Sequence, residues 1–258
     1  MTSQQDNDQS QATSSESNAQ GILSSSSYLD VTYDVGRSPY GKYPFQLGQW
    51  LLKNIYKAPG TILDLGCGRG EHMAVFSDLG FEPSGVDISP KAPDLAGNRF
   101  DVKVANLEKD PLPFPDEQFD FLFSKSVIEH TKDPVTFLKK GFKALKPGGI
   151  AVIMVPSWEH SYWGPFYLDH THITPFTQPS LKDAGVFAGF ECLEVRFFYQ
   201  LPFLWRWPFL FPVVKLIDLL SIPYRPMRQV KWPNRLNTLL RFSREAMLLA
   251  VMRKPDAN

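Results

Sequence analysis

Thr61-Ile62-Leu63-Asp64-Leu65-Gly66-Cys67-Gly68-Arg69-Gly70-Glu71 is a short apolar run that breaks into three alternating glycines. Such a run reads as a strand, Thr61–Leu65, and the residues behind the glycines, Gly70–Leu79, read as a helix closed by Gly80. A strand that turns through glycines into a helix builds the crevice at which open α/β sheets bind ligands. Glycines there lack Cβ atoms, so a ligand can lie against the backbone, and they permit unusual φ values. The dinucleotide fingerprint wants a further glycine where Glu71 stands, and no Lys-Ser/Thr pair follows to make a phosphate-cradling loop. Asp64 is the odd residue: a carboxylate inside an apolar strand is costly unless it binds something.

Outward from this motif, strands and helices alternate. Pro83–Ile88 reads as a second strand, Phe100–Ala105 as a third and Phe119–Phe123 as a fourth. The fourth is apolar on both faces, as in a buried parallel sheet. Pro134–Leu145 is a helix ended by Lys146-Pro147-Gly148-Gly149, and Ile150–Val155 a fifth strand. A helix near Pro179–Ala188 and a strand at Cys192–Phe198 follow, with a last strand at Ala246–Met252. An earlier helix is read between Ser38 and Lys57. This alternation predicts a parallel sheet wrapped by helices. Asp87, in Gly85-Val86-Asp87-Ile88-Ser89, lies about 20 residues past the glycine turn, where an acid suits a ribose diol.

The ordered segments TILDLGCGRGE, GVDIS, ANLEKDPLPFPDEQFDFLFSKSVIEH and LKPGG resemble the class I S-adenosylmethionine-dependent methyltransferases, most closely the type 11 branch. The resemblance runs from Thr61 to Val155 and more loosely to Phe190. It implies a Rossmann-like α/β fold with a mostly parallel seven-stranded sheet, helices on both faces and an antiparallel last strand. It also implies roles. Asp64, Gly66 and Gly68 would hold the methionine part of S-adenosylmethionine, and Ser124 would meet its end. Asp87 would take the ribose hydroxyls, Ile88 would pack on the adenine, Asn106 would bond its amino group and Leu107 would line the ring. Asn106 departs from the family's usual Asp but can still accept that bond. The implied function is methyl transfer to a small-molecule or lipid-like acceptor. Two alternatives come from other classes: a catalytically inactive cofactor-binding or membrane-associated protein, and a nicotinamide-dependent oxidoreductase. Against the latter stand Glu71 and the lack of a Tyr-x-x-x-Lys pair.

Histidines supply the acceptor-side candidates. His130, just past the fourth strand, suits a general base or a loop-shaping role. His172, in His172-Ile173-Thr174-Pro175-Phe176-Thr177, is expected to border the acceptor. His160, Asp169, His170 and His172 raise a metal site. Without a spaced set of Cys or carboxylates to close one, no metal is assigned.

The 258-residue chain carries 27 basic and 27 acidic residues, which gives no reason to expect nucleic acid as a partner. Two cysteines, Cys67 and Cys192, form no disulfide framework, so a reducing, cytoplasmic compartment is expected. Residues 1–27 are polar and Ser/Gln-rich, read as a disordered tail ahead of a domain core over 28–200. Residues 201–244 form an apolar, basic and aromatic insertion before the last strand and tail at 245–258. Residues 201–254 hold ten Lys and Arg against only Asp218 and Glu245, with Trp205, Trp207 and Trp232 among them. Prolines and charges interrupt the stretch, so it reads as a lid over the acceptor or as a contact with an anionic membrane surface, not as a spanning helix.

Overall fold

The computed structural model describes residues 41–219, 223–224 and 235–256. The polar tail over 1–27, the start of the first predicted helix and the segment around Trp232 lie outside the described residues.

Seven strands form one sheet: β1 (Thr61–Leu65), β2 (Glu82–Asp87), β3 (Asp101–Val104), β4 (Phe119–Lys125), β5 (Leu145–Pro156), β6 (Glu191–Phe198) and β7 (Met247–Arg253). Their order is β3-β2-β1-β4-β5-β7-β6. β1 to β5 pair in parallel, and β7 runs antiparallel to both β5 and β6. This is the mostly parallel, seven-stranded Rossmann-like architecture expected from the sequence, antiparallel last strand included.

Both faces of the sheet are covered, which explains the unbroken apolar runs. Side chains alternate across a strand. Ala151, Ile153 and Val155 of β5 therefore join one core with Phe137, Leu138 and Leu181, while Val152 and Met154 join the other with Leu47, Leu51 and Phe76. The first core packs under α4 (Pro134–Ala144) and α5 (Gln178–Ala188), the second under α1 (Tyr43–Leu51) and α2 (Glu71–Asp78). Caps set the helix starts. The Asp133 carboxylate accepts the Thr136 N–H at 2.9 Å, and Thr177 and Ser180 form a reciprocal capping box.

Most element ends differ from the sequence reading by one or two residues, and three differences are larger. The first helix ends in a wider turn, Leu52–Tyr56, which Lys57 stops with φ +69°. β5 begins at Leu145, five residues before the expected Ile150, because Leu145 already pairs with Phe119 and Gly148 and Gly149 exchange hydrogen bonds with Lys254. A short helix, α3 (Ala92–Leu95), lies in a stretch read as connection.

Beyond β6 the chain leaves the sheet as α6 (Pro202–Arg206), a 3-10 turn (Pro208–Leu210) and α7 (Phe211–Leu219), and returns through α8 (Arg235–Arg244). Trp205 anchors this appendage against Tyr43, Trp50 and Phe198. Its own core is small: Leu201, Leu204 and Val214. Among the described residues no helix is long and apolar enough to cross a membrane.

Candidate active site

The C-terminal ends of β1, β2 and β4 converge. Asp64 sits between Gly85 of β2 and Phe123 of β4 and is 3 % exposed. Burial, reinforced by the nearby charge of Asp87, pushes its carboxyl up to about 8. Burial also raises Asp87. Among the described residues neither acid has an ion-pair partner. A buried acid and a half-buried acid beside each other without a paired cation suit a ligand that brings its own positive charge.

The glycine turn is built around them. Gly66, at φ +83°, donates its N–H to the Val86 carbonyl at 2.7 Å, and a Cβ there would overlap the side chain of Val127. Gly68, at φ +53°, faces open space, and its N–H donates to Asp87 Oδ2 at 2.8 Å. The Ser89 N–H donates to Asp87 Oδ1, also at 2.8 Å. Each Asp87 oxygen keeps a second lone pair for a diol, with the carboxylate already oriented by the backbone.

The other expected cofactor residues fare differently. Ile88 is an exposed apolar side chain beside the crevice, as packing on a ring requires. Asn106 Oδ1 accepts the Glu108 N–H at 3.0 Å, an Asx turn that leaves one lone pair. Leu107 is buried in the core below α4, so Ile88 is the apolar side chain that a ring could reach. Ser124 is 1 % exposed and donates its hydroxyl to the Leu65 carbonyl at 2.9 Å, tying β1 to β4. Burial and the two acids push the Cys67 thiol up, which leaves it inert.

A second cluster forms where β4 ends. Ser126 takes φ +59°, and the chain turns through Ile128–His130. The Glu129 carbonyl accepts the N–H groups of Ile173 and Thr174 at 3.0 and 2.9 Å, which pins the later loop to this turn. His130 and His172 are thereby brought ring to ring, with centroids 4.7 Å apart. His160 lies elsewhere, against Phe197 of β6, and His170 is exposed, so the histidines do not assemble in the grouping their spacing suggested.

Glu129 is the residue sequence reasoning passed over. It is fully buried, and neither carboxylate oxygen has a hydrogen-bond partner. Burial pushes its carboxyl up to about 8, against the opposing pull of nearby backbone amides and Lys125. Burial, with His172 beside it, holds His130 down at about 4. A general base works best near the operating pH, so His130 is a weak one here. The only sequence signal for Glu129 is that it adjoins His130 at a strand end.

A parallel sheet of this order, with acids at the ends of β1 and β2 around a glycine turn, defines an enzyme class that binds a nucleoside-bearing cofactor across the strand ends. The profile of a methyltransferase domain family matches residues 42–195, more than half of the chain, and the chain belongs to that family. The match does not favour the oxidoreductase alternative, and it makes S-adenosylmethionine the cofactor. Relatives include the 2-methyl-6-phytyl-1,4-hydroquinone methyltransferase of Synechocystis sp., 37% identical over 112 residues, which are 42% of this chain and 35% of that protein. The demethylmenaquinone methyltransferase of Tropheryma whipplei is 32% identical over 41% of this chain and 46% of its own length. The chain thus spans less than half of either protein. A SAM-dependent methyltransferase from Archaeoglobus fulgidus shares the fold, with a TM-score of 0.57 at 20% identity over 82% of this chain and 94% of its own.

The donor set fits this cofactor: a cradle open at Gly68, an oriented carboxylate at Asp87 and an unpaired buried acid at Asp64. A pH dependence follows. Below about pH 8 the Asp64 carboxyl is held protonated, and a ligand ammonium placed against it would stabilise its carboxylate. Binding at pH 6.5 is therefore expected to release close to one proton. Above about pH 8 the ligand's own amine, near 7.7–8.0 when free, is deprotonated in solution, so binding instead takes a proton up. Calorimetry in two buffers of different ionisation enthalpy measures both signs. Zero proton exchange across this range would remove Asp64 from the ammonium contact.

Proposed function

We propose that this chain transfers a methyl group from S-adenosylmethionine to a hydroquinone-like acceptor carrying a lipid tail, at a cytoplasmic membrane surface. The observation that carries the transfer chemistry is the pair of acids, Asp64 buried and Asp87 half-buried, around the open Gly68 turn. When bound, the cofactor would supply an electrophilic methyl on a sulfonium; the acceptor's electron pair would bond that carbon, the carbon–sulfur bond would break with its electrons left on sulfur, and the acceptor's proton would pass to water. The chain's contribution is position and exclusion of water. Asp87 fixes the ribose, Asp64 the ammonium, and the Glu129–His172 loop borders the acceptor. The hydroquinone class is supported by the relatives' substrates.

The appendage supports the lipid tail. Phe209, Val213, Leu216 and Leu219 recur at helical spacing along one stripe, and all four are more than half exposed. An exposed apolar stripe of this length suits contact with an apolar partner surface. Exposed Arg206 and Arg235 lie on the same appendage, and the surrounding composition is strongly basic. An apolar stripe with basic neighbours suits an anionic lipid surface.

The test uses methyl-labelled S-adenosylmethionine with quinols of short and long tails, in anionic and in neutral vesicles. Label is expected in the quinol, with vesicle binding stronger on anionic lipid. Leu216→Glu should weaken vesicle binding about tenfold or more, the loss of one buried Leu, and spare turnover of a short-tailed quinol. No label in any quinol would refute the acceptor; unchanged vesicle binding in the variant would refute the docking stripe.

A further inference from the structure

We infer that Glu129, His130 and His172 form an open divalent-cation site beside the end of β4. One Glu129 oxygen and one ring nitrogen of each histidine all lie within 4.8 Å of one another, and His172 Nε2 stands 4.0 Å from Glu129 Oε1. The second, independent observation is Glu129 itself, fully buried with both carboxylate oxygens lacking a hydrogen-bond partner. A buried acceptor without a donor is costly, and a cation resolves the cost directly.

The surroundings are those of a ligand shell. Thr171 donates its hydroxyl to Asp169 Oδ1 at 2.6 Å, so its oxygen can only accept from His130 Nδ1, 2.9 Å away. His172 Nδ1 donates to the Phe166 carbonyl at 2.7 Å. Both rings therefore carry their proton on Nδ1 and their lone pair on Nε2, each oriented by an outer acceptor, as in histidine metal sites. Asp169 lies close to Glu129, and a bound cation would hold the Glu129 carboxyl as the carboxylate that burial alone disfavours. Two imidazoles and one carboxylate suit zinc and its first-row neighbours, and three protein ligands leave a coordination position open. Bonds of roughly 2.0–2.1 Å place tetrahedral ligands about 3.4 Å apart, so loading requires the cluster to tighten by about 1 Å. The open position would receive an acceptor oxygen, a role that rests on the methyltransferase reading; the metal site itself does not.

The experiment is equilibrium dialysis of the full chain against Zn²⁺ with elemental analysis, and Co²⁺ substitution followed by its visible absorption. One equivalent of Zn²⁺ and a tetrahedral Co²⁺ spectrum are expected. Glu129→Gln keeps the side chain's shape without its charge and should fold as wild type, while it and His172→Ala each lose at least tenfold in affinity. Thr171→Val should lose 10- to 100-fold by removing the support behind His130. His160→Ala should bind as wild type. Absence of stoichiometric metal, or equal binding by Glu129→Gln and wild type, overturns the site. S-adenosylhomocysteine binding on the same samples separates this failure from failure of the methyltransferase reading.

Discussion

Asp87→Ala is expected to weaken S-adenosylhomocysteine binding by two to three orders of magnitude, measured by calorimetric titration. A carboxylate that accepts a ribose diol makes hydrogen bonds worth about 1.5–3 kcal/mol each, and 1.4 kcal/mol is about tenfold. The substitution also orphans the N–H groups of Gly68 and Ser89, which now find their acceptors on Asp87 at 2.8 Å. Asp87→Asn is the sharper probe. One Asn atom must be an NH₂, which would face either the Gly68 or the Ser89 N–H, donor against donor. The Asn variant should therefore bind nearly as poorly as the Ala variant. A dissociation constant within threefold of wild type for Asp87→Ala would mean that the nucleoside sits elsewhere.

The two glycines of the turn are expected to fail in different ways. At Gly66 a methyl would overlap Val127, and φ is +83°. Gly66→Ala should cost about 2–4 kcal/mol of stability, the sum of a left-handed backbone penalty and overpacking. At Gly68 a methyl meets nothing within 4 Å, so Gly68→Ala should cost only about 1–2 kcal/mol from its φ of +53°. Its methyl would instead occupy the space left for the ligand and reduce cofactor affinity at least tenfold. Urea unfolding and cofactor titration on both variants resolve the pair. A Gly68→Ala protein with wild-type cofactor affinity would show that the turn does not border the ligand.

These two glycines mark how far the sequence could be read. Thr61–Leu65 and the turn behind it were legible because an apolar run, glycine spacing and a misplaced Asp64 each restrict the backbone locally. Asp87 was legible because a strand end is a local property too. Glu129 was not, since its meaning depends on burial and on missing partners, which no local pattern records. Nor was the contact between His130 and His172, which the two backbone hydrogen bonds to the Glu129 carbonyl create across about 40 residues. Ser124 was expected to meet the methionine end, but it lies within β4, and its hydroxyl turns to the Leu65 carbonyl because the neighbouring strand decides its direction. The early start of β5 was hidden for a similar reason: Pro147 and two glycines look like a stop, and only pairing with β4 and Lys254 extends the strand through them.

The register of the last two strands has its own consequence. Phe198, where the chain leaves the sheet, is the direct cross-strand partner of Met247, where it returns. Topologically β6 and β7 are a hairpin, and everything between them is its turn. Past the Trp205 anchor, such a segment is an interchangeable cassette: it can lengthen, shorten or be swapped while its two ends stay fixed side by side. A lineage could redirect this enzyme to a new surface or partner there, and Asp64 and Asp87, on the far strands, would register no change.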